Sequence, residues 1–219
     1  MGTGTIASPP AGRGPGEDPI DVASSTASSP KRETARDRIL AAANDLFYRE
    51  GIHTVGVDRI IDEAGVAKAS LYSSFKGGKA ELVRAYLERR RENLMASITA
   101  AIDRHDDPRG RLLAIFEAQA EIAARPTYNG CAFVAATAEA HEEGIDEVAQ
   151  AQRAWVRATL TRLATEAGAD DPGALAEQLQ LLYDGATMAA HQDRDRGAAI
   201  RASEIAAVLV ERALGSPPA

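Results

Sequence analysis

Three of the chain's four lysines, Lys68, Lys76 and Lys79, crowd into one short stretch around Tyr72. An ammonium is a compact charge with three donors and a phenol carries one donor on an apolar body, so together they suit phosphate oxygens. Between them lie Ala69, Ser70, Ser73 and Ser74, short side chains that let a helix lie close in a groove. Groups able to make or break bonds are scarce. The single cysteine, Cys131, rules out an intrachain disulfide and a cysteine-based metal cluster, and its expected role is that of a small buried apolar residue. His141-Glu142 has no second histidine at helical spacing, which excludes a zinc-protease helix. Glu50-Gly51-Ile52-His53 spells the E-x-x-H of di-iron bundles, but Gly51 ends the helix there and no second copy exists. Gly12, Gly14 and Gly16 follow no strand and precede no helix, so they form no phosphate loop. No nucleophile, base and acid set stands out, and neither an enzyme nor a cofactor or metal is expected.

The elements that position these residues are helices. Of 219 residues, 45 are alanine and only 5% are aromatic, a balance that favours helix over strand. Ile39, Leu40, Ala43, Leu46 and Phe47 recur with the period of a helix that Thr34 and Asp37 can cap and Gly51 can end, with Ser29-Pro30 as an earlier possible start. A short helix with Val57, Ile60, Ile61 and Ala64 on one face runs to Gly65. A second short one runs from about Lys68 to Phe75, with Leu71 and Phe75 inward. A long helix follows, from about Lys79 to Ile102. Asp107-Pro108 and Asp171-Pro172 each read as a cap plus first-turn proline, opening helices to about Ala124 and Gln192. Between these lie an apolar helix from Cys131 to Glu142, stopped by Gly144, and a helix from Asp146 to Ala167. A last one runs from Ala198 to Leu214. The expectation is an all-α chain of about nine helices.

Charge is uneven along the chain. The net charge is −7, yet residues 31–80 carry nine basic and seven acidic groups, while residues 81–219 carry fifteen and twenty-two. A slightly positive head on an acidic body fits a nucleic-acid-binding segment attached to something else. Residues 1–30 read as a disordered tail, because twenty-two of them are Pro, Gly, Ser, Thr or Ala. No basic start followed by an apolar run marks a signal peptide, and no apolar run is long enough to span a bilayer, so a cytoplasmic chain without membrane contact is expected. The chain therefore divides into a tail over 1–30, a slightly basic segment over 31–80 and an acidic body over 81–215.

Two short helices joined by a tight turn at Gly65, with small Ala64 at their approach and Val66 plugging the turn, make a helix-turn-helix. The stretch Asp58, Ile60, Ala64-Gly65-Val66, Lys68, Leu71-Tyr72, Phe75, Lys79 and Leu82, behind a helix ending Leu46-Phe47, resembles the DNA-binding domain of the TetR family of bacterial transcriptional repressors. The resemblance covers residues 34–82. It implies that Lys68, Ala69 and Ser70 open a recognition helix and that Tyr72 and Lys79 approach phosphates, with Ser73, Ser74 and Lys76 beside them. Two departures stand out: the family's F-x-x-K is one residue longer here, Phe75-Lys76-Gly77-Gly78-Lys79, and Ser73 and Ser74 replace residues that are often aromatic or His. The longer spacing can shift Lys79 or let Lys76 take its place. Short hydroxyls read bases sparsely, leaving more to phosphate contacts and DNA shape.

The same resemblance makes 31–80 a DNA-binding domain and 81–215 a ligand-binding and dimerisation domain, and implies a homodimer on a palindromic operator, released by a small molecule. The dimer stripe is expected from Leu175, Leu179 and Leu182 of one helix and Ile205, Val208 and Leu209 of the last. The pocket is expected to take a mid-sized, mostly apolar ligand among Phe116, Phe133, Gln152, Trp155, Tyr183, Met188 and His191, with Trp155 central. Arg89-Arg90-Arg91 reads as a solvated helix face. The rival reading is a helical ligand-binding or interaction protein that binds no DNA.

Overall fold

The computed structural model describes Met1, residues 33–140 and residues 143–215, with nine α-helices and no strand among them. The expected tail, its glycines, the Ser29-Pro30 start and His141-Glu142 lie outside the described residues. The helices are α1 (Ala35–Glu50), α2 (Val57–Ala64), α3 (Lys68–Ser74), α4 (Gly78–Ile102), α5 (Pro108–Ala124), α6 (Ala132–Glu139), α7 (Glu143–Glu166), α8 (Pro172–Gln192) and α9 (Ala198–Leu214). No helix is long and apolar enough to cross a membrane.

Local chemistry sets most of the starts. Thr34 Oγ1 accepts from the Asp37 amide at 3.1 Å while the Asp37 carboxylate accepts from the Thr34 amide, a reciprocal cap on α1. Asp107 accepts from the Gly110 amide at 2.7 Å and Asp171 from the Ala174 amide at 2.9 Å, each with proline in the first turn. One stop does not hold. Gly144 lies inside the first turn of α7, and α6 ends at Glu139. Burial of Ile145 and Val148 fixes the start of α7, and gains of about 1.5–3 kcal/mol per large aliphatic outweigh the ~1 kcal/mol that a helical glycine costs.

Two hydrophobic cores result. The first joins α1, α2, α3 and the start of α4 to α6 and the start of α7, around Phe47, Leu71, Phe75, Leu82, Tyr86 and Phe133. The second joins the end of α4 to α5, α7, α8 and α9, around Ile98, Ile115, Phe116, Leu160 and Leu179. Helix α4 runs through both, and Leu94 packs partly buried against each.

Candidate functional site

The turn between α2 and α3 needs a residue with positive φ, and Gly65 supplies it at φ 60, ψ 43. Its amide donates to the Asp62 carbonyl at 3.2 Å, and Arg38 of α1 donates to the Gly65 carbonyl, also at 3.2 Å, tying the turn to the first helix. Ile60, Leu71 and Phe75 are fully buried beneath, and the Arg36 guanidinium lies 4.7 Å over the Phe75 ring. Helix α3 is thereby held with Lys68, Ala69, Tyr72 and Ser73 exposed and Ser70 and Ser74 half-buried. Lys68 Nζ donates to Asp58 Oδ1 at 2.7 Å, and this bond and the carboxylate's charge raise the lysine's pKa.

The extra residue before α4 is absorbed by Gly78, whose φ of +64 a side chain would resist. The Gly77 amide donates to Glu81 Oε2 at 2.8 Å, closing the turn. Lys76 is left exposed and Lys79 half-buried in the first turn of α4, and neither forms an ion pair among the described residues. The eight residues named for DNA contact thus lie on α3 and its junction with α4.

Behind this head, between the two cores, lie two adjoining lobes of open space. The lobes measure about 800 and 610 Å³ out to their open mouths and share Leu94, Cys131, Phe133, Tyr183 and Thr187 as wall. The first is also lined by Tyr48, Arg90, Gln119 and Tyr128; the second by Gln152, Arg153, Val156, Gln180 and Asp184. Burial pushes the Tyr128 hydroxyl up to about 12 and raises Tyr183 and the Cys131 thiol as well, so all three are neutral donors near pH 7.

Of the residues expected to line a pocket, the structure brings Phe133, Tyr183 and Gln152 to it. Phe116 is fully buried behind the wall, edge-on to Tyr183 with centroids 6.2 Å apart. Trp155 is half-buried against the second core, Met188 is exposed, and His191 packs beside Gly130; none of them is in the lining. Tyr48, Leu94, Gln119 and Gln180 were not anticipated, because each lies on a helix whose periodicity marks several residues as inward without saying which face a gap, and Cys131, the residue before α6, has no periodicity to place it. Arg90 differs from the solvated reading. Its guanidinium stacks 3.7 Å over the Tyr48 ring and its Nε is buried.

The expected dimer stripe divides. Leu175 and Leu179 are 3% and 0% exposed, inside the chain's own core, and cannot face a partner. Leu182 and Leu209 are partly buried there too. Ile205 and Val208 are exposed, joined by Leu181, Met188 and Ile200. Helix α8 is apolar on two faces, and only packing against α5, α7 and α9 decides which is spent internally.

Residues 39–86 match the sequence profile of the bacterial regulatory proteins of the tetR family. A TetR-family transcriptional regulator from Streptomyces coelicolor superposes with a TM-score of 0.70 at 36% identity, over 82% of this chain and 88% of that one. The chain belongs to the TetR family of transcriptional regulators. A second TetR-type structure, from Streptomyces avermitilis, is 32% identical over 82% of this chain and 98% of its own, with a TM-score of 0.71. Among curated relatives, the transcriptional activator FasR of Mycolicibacterium smegmatis is 40% identical over 87 residues, which are 40% of this chain and 39% of that protein. The regulator LmrA of Bacillus subtilis is 35% identical over 74 residues, 34% of this chain and 39% of its own. These matches therefore span about two fifths of either curated relative. The TetR-family assignment places the chain among regulators of transcription rather than enzymes.

Proposed function

We propose that the chain is a ligand-responsive repressor that binds a palindromic operator as a homodimer and is released by a small molecule in the two-lobed cavity. The observation that carries this is the shared body of head and cavity. Tyr48 of α1 and Leu94 of α4 line the cavity, and both pack in the core that holds α3. A ligand touching them bears directly on the spacing of two recognition helices in a dimer. On this reading Lys68, Ala69 and Ser70 open the helix that enters the major groove, Lys68, Tyr72, Lys76 and Lys79 meet phosphates, and Ser73 and Ser74 add little base readout. Leu181, Met188, Ile200, Ile205 and Val208 of α8 and α9 form the dimer seam, and the protein acts in the cytoplasm, where its operator is. A ligand shifts the population only by its differential affinity for the two spacings, and hundredfold release needs about 2.7 kcal/mol of coupling.

Selection of bound DNA from a random pool, followed by gel shift and in vitro transcription on the selected site, tests the reading. A twofold-symmetric site whose transcript falls when the protein is added supports it. Failure to retain any DNA at low salt would leave a helical binding protein in its place, and a transcript that rises would make it an activator.

A further inference from the structure

Polar groups around the cavity describe its ligand. Gln152 of α7 is 5% exposed and lines the second lobe, yet neither its amide nitrogen nor its oxygen has a hydrogen-bond partner among the described residues. Gln180 of α8, fully buried in the same lobe, donates Nε2 to Asp184 Oδ1 at 2.7 Å. A carboxylate only accepts, so the bonded atom is the nitrogen and the carbonyl oxygen is the one left over. Gln119 of α5 repeats the pattern in the adjoining lobe. Its Nε2 donates to the Tyr183 carbonyl at 2.9 Å and to Thr187 Oγ1 at 2.8 Å, and its oxygen is unpartnered. Buried polar groups are seldom left unpaired, so three carboxamides with open positions around one cavity call for an occupant with donors to give.

Charge narrows the class. Arg153 Nε and Asp184 Oδ2 pair at 2.7 Å, closing the charge of the second lobe. A ligand carboxylate would face Asp184 and bring no hydrogen for the two open carbonyl oxygens. A cation would face Arg153 there and Arg90 and Arg125 in the other lobe. A primary carboxamide meets every demand of the second lobe: its carbonyl accepts from Gln152, one N–H returns to Gln152, and the other N–H donates to Gln180.

The geometry points to a neutral ligand with a terminal primary carboxamide seated between Gln152 and Gln180, its apolar remainder lying along Leu94, Phe133 and Tyr183. This deepens, and rests on, the reading of the cavity as the effector site. The test is calorimetric titration of the full chain with octanamide, octanoate and octylamine, repeated on Gln152→Met and Gln180→Met, with operator binding measured alongside. Octanamide is expected to bind tighter than either charged analogue by roughly tenfold or more, and each variant to lose that preference while still binding operator. Equal binding of the three, binding of none, or a preference that survives both substitutions overturns the assignment. If octanamide binds with the stated preference and leaves operator affinity unchanged, the ligand class stands and the effector role falls. If octanoate binds better and releases DNA, the class falls and the regulator reading stands.

Discussion

Lys68 opens the exposed face of α3 already paired, its ammonium 2.7 Å from Asp58, whereas Lys76 and Lys79 have no such carboxylate among the described residues. A phosphate must compete with Asp58 for Lys68 but not for the other two. Asp58→Asn is therefore expected to tighten operator binding and to steepen the log–log salt dependence by about 0.9, the value for one further neutralised phosphate. Lys76→Ala and Lys79→Ala should each flatten it by a similar amount, and the larger loss identifies which lysine the Gly77-Gly78 turn has aimed at DNA. An Asp58→Asn slope equal to the parent's would mean that Lys68 stays off the backbone. Cys131 bears on a different question. Burial is the main cause of its raised pKa, and the amides of Val134 and Phe133 only partly oppose it. Below the ordinary thiol value of 9.0 it stays protonated, and the thiolate that reacts is scarce. Its alkylation by iodoacetamide should lag a free thiol's at pH 7 to 8 and rise only at higher pH. A rate at pH 7 equal to that of a small free thiol would contradict the burial argument.

At the scale of elements, the head is latched to the body at one corner of the cavity. The Tyr48 hydroxyl donates to the Gly130 carbonyl at 2.9 Å and accepts from the Asn129 amide at 2.8 Å, and the Asn129 side chain donates to the Tyr48 carbonyl at 2.8 Å. Arg90 of α4 stacks on the same ring. The His53 amide, just past α1, donates to the Glu139 carboxylate at 2.9 Å, a second tie between head and α6. Tyr48→Phe keeps the ring and its stacking but leaves the Gly130 carbonyl and the Asn129 amide short of a partner. It is expected to cost about 1–3 kcal/mol in urea unfolding and to weaken release by ligand more than operator binding itself. Loss of operator binding with ligand release intact would place the coupling elsewhere, along α4 alone. On the proposed reading, the packing of Leu94 against both cores makes α4 the mid-length path for coupling, with the Tyr48 latch at its side.

For the whole molecule, the exposed apolar residues of α8 and α9 are where the proposed dimer seam can be tested. Val208 is 64% exposed and Leu181 74%, while neighbouring Leu209 is already partly spent on the chain's own core. Val208→Arg is thus the cleaner probe of a dimer: it should sediment as a folded monomer with operator affinity reduced by tenfold or more, because a monomer presents one recognition helix to two half-sites. A dimer that persists would move the seam off α9.

The helices and the head were legible in the linear order because their signals are local. The Thr34–Asp37 cap, the Asp-Pro starts at 107 and 171, and the positive φ at Gly65 depend on neighbours a few residues away. The spaced residues from Ile39 to Leu82 likewise carry the fold of the head whatever lies beyond it. The cavity was not legible, because a gap is a property of several helices at once. Phe116 and Trp155 are as large and apolar as Phe133, yet one lies behind the wall and the other outside the lining. Gln152 and Gln180 read as ordinary polar positions until packing buries them without partners. The dimer stripe split for the same reason: a helix with two apolar faces does not say which one its own fold consumes, and only the packing of α8 against α5, α7 and α9 settled that Leu175 and Leu179 turn inward.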